Sequence, residues 1–203
     1  MQNIDITSIA KKYLKGINQA VNQIKLEDIQ QIATILLEAY NNSNTVFIMG
    51  NGGSASTASH MACDLGKGTL KNVYNHNEKR LRVISITDNI ATLTAFANDL
   101  SYNDIFSQQL HNLINPKDIL ICISCSGNSA NIVKALKYAK EKGATTIGFL
   151  GNNGGKAKKY TEYNIIIKSS NYGIIEDLHL TLNHLLTTCL TFMKDAIDNG
   201  KNI

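Results

Sequence analysis

The chain has 203 residues, of which 43% are hydrophobic and 18% charged, and its formal net charge is +4. A chain of this length buries about 70% of the surface that its unfolded form exposes, which is enough for one large domain without a metal or disulfide to hold it together. The composition excludes a disordered or collagen-like chain. The lysines are dispersed and densest at Lys156, Lys158 and Lys159, which argues against a nucleic-acid-binding protein.

The two ends of the chain have apolar residues at helical spacing. The first such segment, at about 5–41, is predicted to form a helical extension, and the second covers about 173–198. We expect both to contribute helices to subunit contacts.

The N-terminal residues lack the apolar core of a signal peptide, and the chain has no apolar run of membrane-spanning length. Four cysteines are too few for a disulfide framework in a chain of this size. We therefore expect a cytoplasmic protein that does not bind membranes.

Five short apolar segments alternate with longer helical patterns in the rest of the chain. The predicted strands are 45–50, 81–87, 118–124, 145–151 and 163–169, and the predicted helices include 91–99, 103–114 and 129–143. Because each parallel crossover needs a helix-sized connection, this alternation predicts a parallel five-stranded sheet with helices on both faces. We predict a single α/β domain over residues 1–203 with a three-layer, flavodoxin-like architecture.

A glycine-rich turn follows the first predicted strand. It contains Asn51, Gly52, Gly53 and Ser54, and a helical pattern begins immediately after it. Glycines bring backbone N–H groups close to a ligand, and a helix N-terminus favours an anion. This turn alone is equally compatible with an ordinary tight connection between a strand and a helix.

A second turn of similar kind follows the third predicted strand. It contains Ser124, Cys125, Ser126 and Ser129 and again leads into a helix, which predicts a phosphate site built from neutral donors. Neither turn has the lysine of a P-loop or the glycine spacing of a dinucleotide fingerprint. Cys122 and Cys125 have C-x-x-C spacing, but Cys122 lies within an apolar strand, so core packing explains it better than redox or zinc chemistry.

Two predicted helices carry histidines and carboxylates on one face. His60 and Asp64 are four residues apart, and Glu176 and His184 are eight apart, so each pair lies on neighbouring parts of a helix surface. Together they form a set of nitrogen and oxygen ligands suited to zinc. We interpret His76 and His111 as structural or surface residues.

The segments GNGGSA, ISCSGNS and IEDLHLTLNH, in this order, resemble the SIS-domain family of phosphoheptose isomerases over nearly the whole chain. The resemblance implies a homotetramer with one zinc ion per subunit. It also implies isomerisation of sedoheptulose 7-phosphate to D-glycero-D-manno-heptose 7-phosphate through an enediol, for lipopolysaccharide or capsule biosynthesis.

The resemblance also assigns roles to residues. It implies that Asp64 is the base and His184 the acid. The metal ligands would be His60, Asp64, Glu176 and His184. The substrate-binding residues would be Asn51, Gly52, Gly53, Ser54, Asp88, Ser124, Cys125, Ser126, Ser129 and Glu176. An ordinary helix cap is the alternative explanation for the Asp88-Asn89 pair.

This chain departs from the family pattern at several of these positions. Asp64 replaces the usual Glu, Glu176 the usual Gln, and Cys125 the usual Thr. Gly173 stands where an acid is common, and Gly68 where an arginine is usual. These departures leave the sugar open, and an isomerase of another sugar phosphate is one alternative. Another is a non-catalytic SIS protein that binds a replication initiator, although retention of His184 argues against it.

Overall fold

The computed structural model describes residues 4–199, which form a central parallel sheet between two helical layers. The strands are β1 (Thr45–Gly50), β2 (Arg82–Ser85), β3 (Ile119–Ser124), β4 (Thr145–Gly151) and β5 (Tyr163–Ile167). The helices are α1 (Ile6–Val21), α2 (Leu26–Asn42), α3 (Gly53–Cys63), α4 (Ile90–Asp99), α5 (Ser107–Leu113), α6 (Ala130–Glu141) and α7 (Tyr172–Asp198).

All pairs of neighbouring strands are parallel, and the strand order is β2-β1-β3-β4-β5. This is the flavodoxin-like order, so the predicted fold is confirmed. The order reverses between β1 and β3, and their carboxyl ends are therefore adjacent at the switch point. Ligands bind at such a point in open α/β sheets.

The two faces of the sheet form separate cores. In β1, Val46 and Ile48 belong to the core shared with α1, α2, α3 and α7. Phe47 and Met49 face the opposite core, which includes residues of α5 and α6. Cys122 in β3 lies in this second core, and burial raises the pKa of its thiol to about 12. Its packing role matches the sequence interpretation.

The N-terminal segment forms two helices rather than one continuous helix. The Asp5 side chain caps α1 by accepting a hydrogen bond from Ser8 N, and the break between α1 and α2 lies at 22–25. Tyr13 Oη in α1 donates to Asp177 Oδ2 in α7 at 2.6 Å. Among residues 4–199, no helix combines the length and the apolar character needed to cross a membrane.

The helix predicted at 103–114 is shorter in the structure. A 3-10 turn covers Tyr102–Asp104, and α5 begins only at Ser107. The Ser101 hydroxyl accepts from Asn103 N at 3.1 Å and donates to Asp104 Oδ2 at 2.7 Å. This local hydrogen bonding closes a separate turn and delays the start of the helix.

Candidate active site

The two glycine-containing turns lie side by side at the carboxyl ends of β1 and β3. Gly50 pairs with Ile123 in the sheet, directly before the turns. Gly52 has φ 57° and ψ −126°, a conformation open to glycine, and it immediately precedes α3. Gly127 has φ 62°, and a Cβ atom there would lie 2.1 Å from the carbonyl oxygen of Gly154. Glycine is therefore needed where the second turn packs against another loop.

A cavity of about 180 Å³ lies between these turns. Its lining consists of Asn51, Ser54, Ile123, Ser124, Cys125, Ser126, Ser129, Tyr172 and Glu176. We call the cavity with its four serines the hydroxyl cradle. Ser129 precedes α6 without a side-chain capping bond among the described residues. Ser124 Oγ and Ser126 Oγ accept backbone N–H groups at 3.1 and 3.2 Å, which leaves their hydroxyl hydrogens for a ligand.

Asparagine side chains join the two turns. The amides of Asn51 and Asn131 are joined by two hydrogen bonds of 3.0 and 2.9 Å, and Tyr102 Oη donates to Asn51 Oδ1 at 3.0 Å. Asn131 is only 2% exposed. Asn131, Tyr102 and Tyr172 have no local signal in the sequence, because their role depends on contacts between distant segments.

Glu176 lies at the cradle rather than beside the two histidines. Its carboxylate occupies the space that a Cβ atom on Gly53 would need, at 2.9 Å for Oε1. The Cys125 thiol donates to the same Oε1 at 3.8 Å. Burial and then the negative charge of Glu176 raise the pKa of Cys125 to about 11. The thiol is therefore neutral near pH 7.

His60, Asp64 and His184 come together between α3 and α7, and we call them the His/Asp/His triad. Asp64 Oδ2 lies 3.2 Å from His60 Nε2 and 3.6 Å from His184 Nε2, and the two nitrogens are 3.4 Å apart. Ligands bound at about 2.0–2.1 Å around tetrahedral zinc are separated by roughly 3.3 Å. The three distances and the donor atoms therefore fit a zinc ion.

Asp64 begins a π-helical turn, Asp64–Gly68, that continues α3. Such wide turns are frequent at functional sites. Glu176 is about 12 Å from His184 along the axis of α7. Within the described chain, the group able to hold a metal contains His60, Asp64 and His184 without Glu176. Glu176 as a fourth ligand stays a prediction.

Asp88 follows β2 and lies outside both the hydroxyl cradle and the triad. Its Oδ1 accepts hydrogen bonds from the hydroxyls of Ser59, Ser85 and Thr87. The helix cap is supplied by Asn89, which accepts from Thr92 N at 3.0 Å. Asp88 therefore holds the β2 end to α3, and its predicted contact with substrate stays a prediction.

The remaining histidines differ in environment. The His111 ring stacks on Tyr138 with centroids 3.8 Å apart, and His76 lies in an exposed loop. His179 in α7 is 1% exposed, and burial lowers its pKa to about 4. His179 is not among the residues predicted from the sequence, because its position among apolar residues is typical of core packing.

Comparison with known proteins extends these observations. Residues 12–151 match the model of the SIS domain family. A phosphoheptose isomerase of Aquifex aeolicus is 39% identical over 165 residues, covering 81% of this chain and 83% of that protein. A probable phosphoheptose isomerase of Thermoplasma acidophilum is 36% identical over 177 residues, covering 87% and 94%. The solved structure of a phosphoheptose isomerase from Francisella tularensis matches with a TM-score of 0.82 at 26% identity, covering 92% of this chain and 96% of that one.

Proposed function

This chain belongs to the SIS-domain family and is a sugar-phosphate isomerase of the phosphoheptose isomerase group. On that premise we propose that it converts sedoheptulose 7-phosphate to D-glycero-D-manno-heptose 7-phosphate, for use in lipopolysaccharide or capsule biosynthesis. The observation that carries this proposal is that α3 and α7 each run from the hydroxyl cradle to the His/Asp/His triad.

The spacing between cradle and triad supports a long sugar. Along α3, His60 lies about 10 Å beyond Gly53, and along α7, His184 lies about 12 Å beyond Glu176. An extended chain advances about 3.6 Å per three bonds, so C2 and the phosphorus of a ketose 7-phosphate are roughly 8 Å apart, against roughly 6 Å in a 5-phosphate. With the phosphate in the cradle, the longer substrate brings its reacting carbons closer to the triad.

The isomerisation moves a proton from C1 to C2 through an enediol and a second proton between O1 and O2. It therefore needs a base, an acid and stabilisation of charge on oxygen. Asp64 is the proposed base, and none of the described residues bonds its Oδ1. Its Oδ2 faces both histidine nitrogens. One carboxylate can thus hold a metal through Oδ2 and move the carbon-bound proton through Oδ1.

His184 is the proposed acid that transfers protons to and from the substrate oxygens. Its side chain is 54% exposed, so a substrate can reach it. We propose one zinc ion per subunit, held by His60, Asp64 and His184. When bound, zinc supplies Lewis-acid polarisation of the carbonyl oxygen.

The phosphate is proposed to bind in the hydroxyl cradle. Ser54, Ser124, Ser126 and Ser129 supply neutral donors, and the N-termini of α3 and α6 supply backbone N–H groups and favourable dipoles. Asn51, Gly52, Gly53 and Cys125 shape the two turns. Binding energy from the phosphate holds the distant carbons in position for proton transfer.

We propose a homotetramer in the cytoplasm. Ile6, Ile9 and Leu14 on α1 are 68%, 57% and 64% exposed, and subunit contacts would bury them. The four free thiols fit a reducing compartment. In light scattering, the parent protein should have about four times the chain mass of 22.2 kDa, and Ile9→Asp should give smaller species. A 22.2 kDa parent particle at micromolar concentration would contradict the tetramer.

The reaction is tested by assaying ketose phosphates of five to seven carbons with metal-free and zinc-loaded protein. Sedoheptulose 7-phosphate should give the highest kcat/KM, chelation should remove the activity and Zn²⁺ should restore it. If the zinc-loaded protein turns over none of these sugars, the isomerase proposal fails. Binding to a replication initiator in a pull-down would then favour the interaction-protein alternative.

A further inference from the structure

A fully buried asparagine contacts the carboxylate of the His/Asp/His triad. Asn183 in α7 is 0% exposed, and its Nδ2 donates to Asp64 Oδ2 at 2.8 Å. The same oxygen faces His60 Nε2 and His184 Nε2. Three nitrogen groups therefore converge on one carboxylate oxygen, and Asn183 approaches it from the protein interior.

The position of Asn183 is otherwise suited to an apolar side chain. The buried residues on this part of α7 are largely apolar and include Ile175, Leu178, Leu182, Leu186 and Leu190. Asn183 Oδ1 has no hydrogen-bond partner among the described residues. An unpaired buried carbonyl lowers stability, and native proteins keep few such groups. A side chain that weakens the core at this position calls for a functional explanation, and its one side-chain hydrogen bond within residues 4–199 goes to Asp64.

We infer that Asn183 is a positioning residue for Asp64, an inference that rests on the proposed roles of the triad. Its amide fixes the carboxylate with Oδ2 between the two histidine nitrogens. With Oδ2 fixed, the second torsion of Asp64 is set, and Oδ1 is held in one direction for proton transfer. Partners behind a metal ligand orient it in this way, and removing them typically weakens metal binding about 10–100-fold.

A purely structural role for the bond makes different predictions. If the bond only joined α3 to α7, its loss would lower the melting temperature and leave metal affinity and kcat unchanged. A positioning role predicts the reverse for Asn183→Leu. The donor is lost and the unpaired carbonyl is replaced by a packed apolar group, so the melting temperature should stay the same or rise while Zn²⁺ binds more weakly.

The primary experiment titrates Zn²⁺ into metal-free protein by calorimetry and records thermal unfolding of the same samples. Asn183→Leu should weaken Zn²⁺ binding by about 10-fold or more. Asn183→Ala removes the donor but leaves a cavity, so it should weaken Zn²⁺ binding by a similar factor and lower the melting temperature. Metal affinity would then depend on the amide donor of Asn183, and stability would depend on how well the side chain at this position fills the core.

Thr187→Val is the matched control. Thr187 lies one helical turn beyond Asn183, its Oγ1 is also buried without a partner among the described residues, and its methyl group faces Gly68. This variant removes a polar group of the same helix that makes no hydrogen bond to Asp64, so Zn²⁺ affinity should match that of the parent.

A double-mutant cycle tests whether Asn183 acts through Asp64. In the Asp64→Asn background the carboxylate is absent, so adding Asn183→Leu should change Zn²⁺ affinity little further. Additive losses in the cycle, or parent-like Zn²⁺ affinity in both Asn183 variants, would overturn the inference.

In a catalytically active parent, Asn183→Leu should also lower kcat more than it changes KM for the sugar phosphate, and a change in KM alone would overturn it. If the parent binds Zn²⁺ and the cycle shows the expected coupling, but the parent turns over no sugar phosphate, the proposed function is refuted. Asn183 would still be a positioning residue for Asp64.

Discussion

The hydroxyl cradle and the His/Asp/His triad lie at different positions along α3 and α7 and differ in what holds their groups in place. The cradle is formed mainly by short side chains and backbone groups of two turns, with Tyr172 and Glu176 from the start of α7, and each turn continues directly from a strand of the sheet. The triad is formed by longer side chains on two helices, and both histidines are about half exposed. The geometry of the cradle is therefore largely set by the backbone, whereas that of the triad depends on individual side chains.

His184→Ala should have the largest effect, because it should remove turnover at the triad and leave phosphate binding at the cradle. His184 serves as proposed metal ligand and acid, so its loss should lower kcat by at least about 10²–10⁴-fold, the usual contribution of general acid–base catalysis alone. Phosphate binding should persist because the cradle does not include His184. We would measure turnover, zinc content and inorganic phosphate binding, with circular dichroism to monitor the fold.

A second triad variant and a control variant complete this experiment. Asp64→Asn keeps nearly the same shape and should lose turnover similarly, whereas His76→Ala should match the parent in rate and zinc content. Full activity in a folded His184→Ala protein would refute the catalytic assignment of the triad.

The next largest effect is expected on the pH dependence of stability, and it comes from α7, the helix that contributes to both regions. His179 lies on α7 between Glu176 at the cradle and Asn183 at the triad, and burial lowers its pKa from 6.5 to about 4. The unfolded chain therefore takes up a proton at this residue below pH 6.5, while the folded chain stays neutral until about pH 4. Stability is thus full above pH 6.5 and falls as the pH drops toward 4, by at most about 3 kcal/mol at 1.36 kcal/mol per unit.

Urea unfolding between pH 4 and 7 measures this effect. His179→Leu should show a smaller loss of unfolding free energy over that range than the parent. An identical pH dependence in both proteins would show that His179 is not held neutral in the core.

The same difference between the two regions explains what could be predicted from the sequence. The cradle residues occur in two short segments at the ends of apolar runs, so alternation and turn composition located them. The positions of His60, Asp64 and His184 followed from helical spacing, but their meeting depends on the packing of α3 against α7. The contacts of Glu176, Asn131 and Asn183 join segments more than fifty residues apart, so no local sequence pattern predicts them.

At the cradle, Ser126→Ala should weaken substrate binding without abolishing turnover. A hydrogen bond to a charged group contributes about 1.5–3 kcal/mol, so KM for the sugar phosphate should rise by one to two orders of magnitude. The variant also loses the hydrogen bond from Asn128 N to Ser126 Oγ, but the turn should persist because Gly127 N still donates to Ser124 Oγ. Equal affinity of the parent for sedoheptulose and its 7-phosphate would contradict the assignment of the cradle.

The smallest effect is expected for Cys125→Ser, although Cys125 lines the cradle. Burial and Glu176 raise the pKa of this thiol to about 11, so near pH 7 it is a neutral group and not a thiolate nucleophile. Serine is nearly the same size and keeps a hydrogen that can be donated to Glu176. Because the serine variant retains the hydrogen bond to the Glu176 carboxylate, KM should change by less than about tenfold and kcat by less still. Iodoacetamide at neutral pH should accordingly modify the exposed Cys63 well before Cys125. If Cys125→Ser instead lost as much turnover as His184→Ala, the thiol would take part in the chemistry, and the division between a backbone-determined cradle and a side-chain-determined triad would fail.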